Sequence, residues 1–172
     1  MARYTGPKHK IARREGINIL EKSSGSLERR LNVMPGIQSR RGGRRKPSEY
    51  GLQLREKQKL KRSYGLLEKQ FRNYVEKAQK SRENTDEMLI QLLEGRLDSL
   101  VYRLGFANSR NQARQFVSHG HVLVDGTKVN VPSYNVKIGQ KISLSKQLLK
   151  NEVLKLHIDE TAETLLPYLE RK

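Results

Sequence analysis

Two arginines one helical turn apart, Arg110 and Arg114, lie beside an apolar stripe in the stretch RLDSLVYRLGFANSRNQARQFVSHGHVLVDGTKVNVPSY, residues 96–134. A guanidinium fork donates paired N–H groups that match phosphate oxygens. Spacing of i, i+4 puts both forks on one side of a helix, which is expected to be an exposed face. His119 and His121 flank Gly120, where they can donate to a phosphate or stack on a base. Lys128 and Asn130 follow on a returning strand and can add polar contacts. The other cations gather upstream. Arg40, Arg41, Arg44, Arg45 and Lys46 surround Gly42-Gly43, and Arg55, Lys57, Lys59, Lys61 and Arg62 follow with only Glu56 against them.

None of these groups has catalytic spacing. The chain lacks GxSxG, GxxxxGK[ST] and GxGxxG, and its four histidines show neither HxxxH nor HExxH. Glu94 and Asp98, read as sharing one helix turn with Arg96 nearby, suit local helix electrostatics better than acid–base catalysis. The chain has no cysteine, which excludes disulfides and thiolate metal sites. The expectation is a protein that binds and is not an enzyme, with no cofactor and no metal.

Composition points to the same kind of partner. The chain has 172 residues, 35 Lys/Arg against 18 Asp/Glu, and a net charge of +17. That charge calls for a polyanion, either nucleic acid or an anionic membrane surface. Residues 1–80 carry 22 basic against 7 acidic residues, whereas residues 81–172 carry 13 against 11. The attraction is thus concentrated in the first half. Apolar runs are too short to span a bilayer, and the basic stretch near residues 48–64 has too few aromatics for a membrane-surface helix. The N-terminus MARYTGPKHK has no apolar core of a secretory signal. No membrane partner is expected, and the expected compartment is the cytoplasm or an organelle matrix.

The elements that must position these residues follow from pattern. Residues 1–46 read as a basic extended arm, with a possible short helix near Lys10–Leu20. Pro47 and Ser48 open a helix that Gly65 stops, Ser48 being the N-cap and Glu49 suiting the positive end of the dipole. Leu67, Phe71, Tyr74, Val75 and Ala78 continue at helical spacing as a packed stripe. Asn84 and Thr85 cap the next helix, Gly95 bends it, and its stripe runs to Gly105. Asn108 or Ser109 then caps Arg110–His119, and Gly120 fits the left-handed position after a helix. Val122–Val124, the turn Asp125-Gly126 and Lys128–Val131 form a hairpin, and Lys141–Leu144 adds a strand. The fold class is α+β. It comprises a basic arm (1–46), a helical domain (47–83, with possible pieces of the arm and tail), a helix pair with a small antiparallel sheet (84–145) and a weakly helical tail (146–172).

The helix pair outlines a helix–turn–helix, but its second helix is short and runs straight into a hairpin. That favours RNA, which is recognised mainly by shape and backbone contact. Here the residues meet a known family. RLDSLVYRLG, SRNQARQFVSHGH and VLVDGTKVNVPSY resemble the RNA-binding domain named after small-subunit ribosomal protein four. MARYTGPKHKIARREG and RRGGRRKPSEYGLQLREKQKLKRSYGLLEKQFRNY resemble the N-terminal half of that protein family, so the resemblance covers residues 1–145.

The resemblance implies a constituent of the small ribosomal subunit that binds 16S-type rRNA first, in its 5′ domain, and nucleates assembly. It implies neighbours among the small-subunit proteins, notably protein five, and a place near the channel through which mRNA enters. A bacterial cytoplasm or an organelle matrix or stroma would house it. By match to the motif, Ser109, Arg110, Gln112, Arg114, Gln115, Ser118, His119 and His121 would be contact residues, and Arg40–Arg62 would add backbone contacts. The alternative is a stand-alone RNA-binding regulator or a translation or salvage factor built on the same domain. Some family members hold zinc on cysteines in the arm; this chain has none to offer. The family also commonly continues past TLLPYLERK to an IVE.YS segment. A shortened lineage or an organellar version would fit that difference.

Overall fold

The computed structural model describes residues 4–19, 24–36, 48–161 and 166–170. The chain divides into two compact units, residues 1–71 and 72–172.

In the first unit, α1 (Lys8–Glu15) buries Ala12 and ends where Gly16 adopts φ 71° and returns its N–H to the Ala12 carbonyl. This helix begins earlier and stops sooner than the expected Lys10–Leu20, because a left-handed residue cannot continue a right-handed helix. A single turn, α2 (Gly25–Glu28), buries Leu27. The long basic helix α3 (Glu49–Ser63) starts at Ser48, whose hydroxyl accepts from the Gly51 N–H at 3.2 Å. Glu49 in its first turn and Lys61 and Arg62 in its last complement the helix dipole. No residue of α3 is buried. Gly65, at φ 62°, turns the chain into α4 (Glu68–Gln79), whose first four residues, with the buried Phe71, belong to this unit and whose remainder, with Tyr74, belongs to the second.

The second unit holds the larger core. Asn84 caps α5 (Thr85–Glu94), and α6 (Leu97–Arg103) begins after a break at Gly95. Ser109 caps α7 (Arg110–Ser118) by accepting from the Gln112 N–H. Gly120 has the left-handed φ of 70° expected after α7. The strands β1 (Val122–Val124), β2 (Thr127–Lys128) and β3 (Ile142–Leu144) form an antiparallel sheet in the order β2-β1-β3. The hairpin turn is as expected: Asp125 and Gly126 both have positive φ, 49° and 80°, the geometry that matches strand twist. β2 is shorter than the expected Lys128–Val131, and β3 starts one residue later than Lys141. Asp125 also accepts from the Gln140 side chain and the Lys141 N–H, both at 2.8 Å, so this turn residue ties the hairpin to the run into β3.

Leu97 and Val101 of α6, Ala113 and Val117 of α7, and Val122, Val124 and Leu144 of the sheet form one buried cluster. After a 3₁₀ turn at Leu148–Lys150, α8 (Glu152–Glu160) adds Leu154 to it. The loop before β3 pins the α5–α6 break. Gly95 accepts from the Val136 N–H, while the Leu97 and Asp98 N–H groups donate to the Tyr134 and Pro132 carbonyls.

Candidate nucleic-acid interface

The α6–α7 helix pair backs onto the sheet, and its outer rim carries the polar side chains. Gln115, Ser118 and His119 are exposed along and just after α7, and Lys128 is exposed on β2. His121 is half-buried, its Nδ1 3.5 Å from Ser145 Oγ. That is longer than the roughly 2.6–3.2 Å at which a base activates a hydroxyl, so the pair reads as a polar rim and not as a nucleophile. The His119 and His121 ring centroids are 6.2 Å apart. Together with Gly120, Leu123, Lys128, Ser145 and Gln147 they line an open cleft of about 200 Å³. The Lys128 stem passes so close over Gly120 that a Cβ there would lie 2.0 Å from Lys128 Cε. Ser145 and Gln147 were not anticipated from sequence. They reach the rim only because β3 pairs with β1, which no local pattern reveals.

Two motif residues also make bonds within the protein. Ser109 is buried as the cap of α7, and the Gln112 side chain accepts the Asn108 N–H at 2.9 Å.

The two arginines need a correction. They do not stand on an open face: the Arg110 and Arg114 side chains are only 11% and 14% exposed. Arg114 lies on Asp98, with Nη2 at 3.0 Å and Nε at 3.1 Å from Oδ2. Arg110 lies 4.8 Å over the Tyr102 ring, with Nη2 3.9 Å from Glu94. Glu94 and Asp98 do not share a helix turn either. Glu94 ends α5 and Asp98 lies in the first turn of α6, so the break at Gly95 aims them at different partners.

Asp98 also receives Arg96, through Nε at 3.0 Å and Nη2 at 2.7 Å, and Arg96 Nη1 donates to the Tyr74 hydroxyl at 2.8 Å. Arg96 is 2% exposed. Burial pulls its pKa down, but the bonds and charge of Asp98, helped by Tyr74, outweigh this and the net direction is up. Glu94 likewise holds Arg103, with its closest contact at 2.6 Å.

The basic helix follows the same rule. Glu15, whose side chain is fully buried, takes both Arg55 and Arg62. Glu68 takes Lys57 at 2.5 Å and Lys61 at 2.6 Å, and those two ammonium groups hold its carboxyl down to about 2. Lys59 pairs with Glu56. The expectation that only Glu56 opposes these cations was too narrow, because Glu15 and Glu68 reach α3 from neighbouring elements. Arg40, Arg41, Arg44, Arg45 and Lys46 lie outside the described residues. Among the described residues there is no cluster that could hold a metal ion, and no helix is long and apolar enough to cross a membrane.

A helix pair on a three-stranded sheet, with amide, imidazole and ammonium groups along one rim, is a nucleic-acid-binding module. Comparison with known families gives it a place. Residues 3–94 match the ribosomal protein S4/S9 N-terminal domain, and residues 95–142 match the S4 domain. Similar proteins include small ribosomal subunit protein uS4 of Parabacteroides distasonis, 50% identical over 99% of this chain and 83% of its own length. That of Vesicomyosocius okutanii is 48% identical over 97% and 82%, and that of Petrotoga mobilis 52% over 86% and 72%. The chain belongs to the ribosomal protein S4 family.

Proposed function

We propose that this chain is a structural constituent of the small ribosomal subunit that binds its rRNA early, in the 5′ domain, and nucleates assembly there. The observation that carries this is the pairing of the two S4-family matches, which run together from residue 3 to 142, with relatives about half identical over nearly the whole chain. The S4 module alone would leave a free-standing regulator open; the N-terminal family match gives the ribosomal reading its weight. The rim Gln115, Ser118, His119, His121 and Lys128 meets the RNA. The arm residues Arg40, Arg41, Arg44, Arg45 and Lys46, with the α3 cations, add phosphate contacts. mRNA near the channel where it enters, and small-subunit protein five, are the proposed further neighbours.

Affinity then depends mainly on phosphate contact and falls steeply with salt, while selectivity comes from the shape of the RNA junction. Footprinting the purified chain on naked small-subunit rRNA tests this. The expected result is protection confined to one junction of the 5′ domain. Diffuse protection, or equal binding to random duplex, would refute it. Co-sedimentation with mature small subunits in high salt separates a resident protein from a dissociable factor.

A further inference from the structure

Arg110 and Arg114 lie in the motif that names the module, yet each guanidinium already faces a carboxylate. The Asp98 side chain, 6% exposed, meets Arg114 at 3.0 Å, and the Glu94 side chain, 16% exposed, meets Arg110 at 3.9 Å. A phosphate taking either guanidinium would leave a largely buried carboxylate with one partner fewer, which is unfavourable even though Arg96 still holds Asp98 and Arg103 still holds Glu94. The exposed residues of α7 are different ones, Asn111, Gln115 and Ser118. With 3.6 residues per turn, these occupy an arc beside the two arginines and away from Ala113 and Val117. Apolar contacts such as those of Ala113 and Val117 are non-directional and leave a short helix some freedom to roll. Arg114 holds Asp98 of α6 through charge-assisted bonds, which are directional, while Arg110 lies over the Tyr102 ring of α6 and faces Glu94 of α5 at 3.9 Å; contacts to two helices, one at each end of the i, i+4 pair, restrict that roll.

We propose that Arg110 and Arg114 are positioning residues and not phosphate ligands: clamped by Glu94 and Asp98, they fix the roll of α7 and so aim Asn111, Gln115 and Ser118 at the RNA. The inference rests on the rRNA-binding reading above. It changes which cations of the module the RNA neutralises.

The test uses the full chain and four variants, Arg114→Met, Arg110→Met, Arg114→Lys and Lys128→Met. Tm is read by circular dichroism. Kd is measured across a KCl series for the 5′-domain rRNA and for a random duplex of equal length, well below every Tm. Arg114→Met is expected to lower Tm by about 2–8 °C. It should leave the slope of log Kd on log[KCl] unchanged and reduce the preference for rRNA about tenfold. Arg110→Met, with the longer carboxylate contact, should show the same pattern with a smaller fall in Tm, and it serves if Arg114→Met does not fold. Arg114→Lys should recover part of both Tm and preference. Lys128→Met should keep its Tm and reduce the slope by about 1, as a lost phosphate contact does.

A slope reduced by about 1 in Arg114→Met with Tm unchanged would make Arg114 a phosphate ligand and overturn the proposal. A lowered Tm with the preference intact would reduce the clamp to scaffolding and overturn it as well. A wild-type chain that does not prefer rRNA refutes the functional reading instead, and the salt slope of Arg114→Met on the random duplex then decides whether Arg114 is a phosphate ligand: a slope reduced by about 1 overturns the proposal and an unchanged slope supports it.

Discussion

Asp98 is the point at which the second unit can be tested most sharply. Its carboxylate takes two bonds from Arg96, at 3.0 and 2.7 Å, and two contacts from Arg114, at 3.1 and 3.0 Å. Arg96→Met keeps bulk but removes those two bonds and the one to Tyr74. Hydrogen bonds to charged groups contribute about 1.5–3 kcal/mol each, but Arg114 stays on the carboxylate and Met restores apolar packing. The net loss should be about 2–3 kcal/mol. Arg114→Met, in which Arg96 stays, should lose about 1–2 kcal/mol. Removing both strands a carboxylate in a residue 4% exposed, and an uncompensated buried charge adds about 3–5 kcal/mol that neither single variant incurs, because in each the other arginine stays. The double variant should therefore exceed the sum of the singles by at least about 1 kcal/mol. The chain has no tryptophan, so urea unfolding is followed by far-UV circular dichroism at neutral pH, with m-values checked for constancy. Additivity within about 0.5 kcal/mol would refute the shared-carboxylate reasoning. So would a loss below about 1 kcal/mol for Arg96→Met.

Three further outcomes follow from other sites. Glu68 is about 2 when folded against a usual 4.5; a carboxyl so lowered stabilises fully above its unfolded pKa, and the stabilisation is lost as pH falls from 4.5 toward 2. Glu68→Gln should flatten the urea midpoint across that window, by about 1 kcal/mol or less because the carboxylate is half exposed. Gly120→Ala should lose about 1–2 kcal/mol for a side chain in the left-handed region, and by displacing Lys128 should also weaken rRNA binding; an unchanged Kd would mean Lys128 makes no contact. Ser109→Ala should lower stability by about 1 kcal/mol through loss of the α7 cap, measured by urea unfolding.

The elements were legible where local chemistry decides them. Ser48 caps α3 as expected, Asn84 alone of Asn84 and Thr85 caps α5, Ser109 rather than Asn108 caps α7, and Asp125-Gly126 makes the expected turn. These depend on a few neighbouring atoms, and so does the end of α7 at Gly120. The misread parts depend on pairing across distance. Arg96 reads as one more cation in a basic chain, yet it is buried because Tyr74, from a different helix, supplies its third bond. Arg110 and Arg114 read from sequence as solvent-facing because charged residues usually lie there. What reverses this is the break at Gly95, which gives α7 two acids on two helices. The rim residues Ser145 and Gln147 were invisible for the same reason.

Counting Lys and Arg therefore overstates how many phosphates the chain can neutralise. Glu15, Glu68, Glu94 and Asp98 each hold two basic side chains, which accounts for Arg55, Lys57, Lys61, Arg62, Arg110 and Arg114 among the candidate contacts. The arm differs at the level of sequence. From Arg29 to Ser48 there is no Asp or Glu, while Arg40, Arg41, Arg44, Arg45 and Lys46 all fall within it. Like charges at that density repel one another and have only Glu49 near them in sequence to relieve them, so an external polyanion lowers their energy most. Replacing those five residues with Gln should reduce the salt slope of rRNA binding by several units, at about 1 per lost phosphate contact. Replacing Arg55, Lys57, Lys59, Lys61 and Arg62 with Gln should reduce it less and lower stability more, because it also strands Glu15 in a buried site. Equal slope changes for the two sets would show that the carboxylates paired with the α3 cations give way to phosphate, and the internal pairs would then be a resting state rather than a fixed frame.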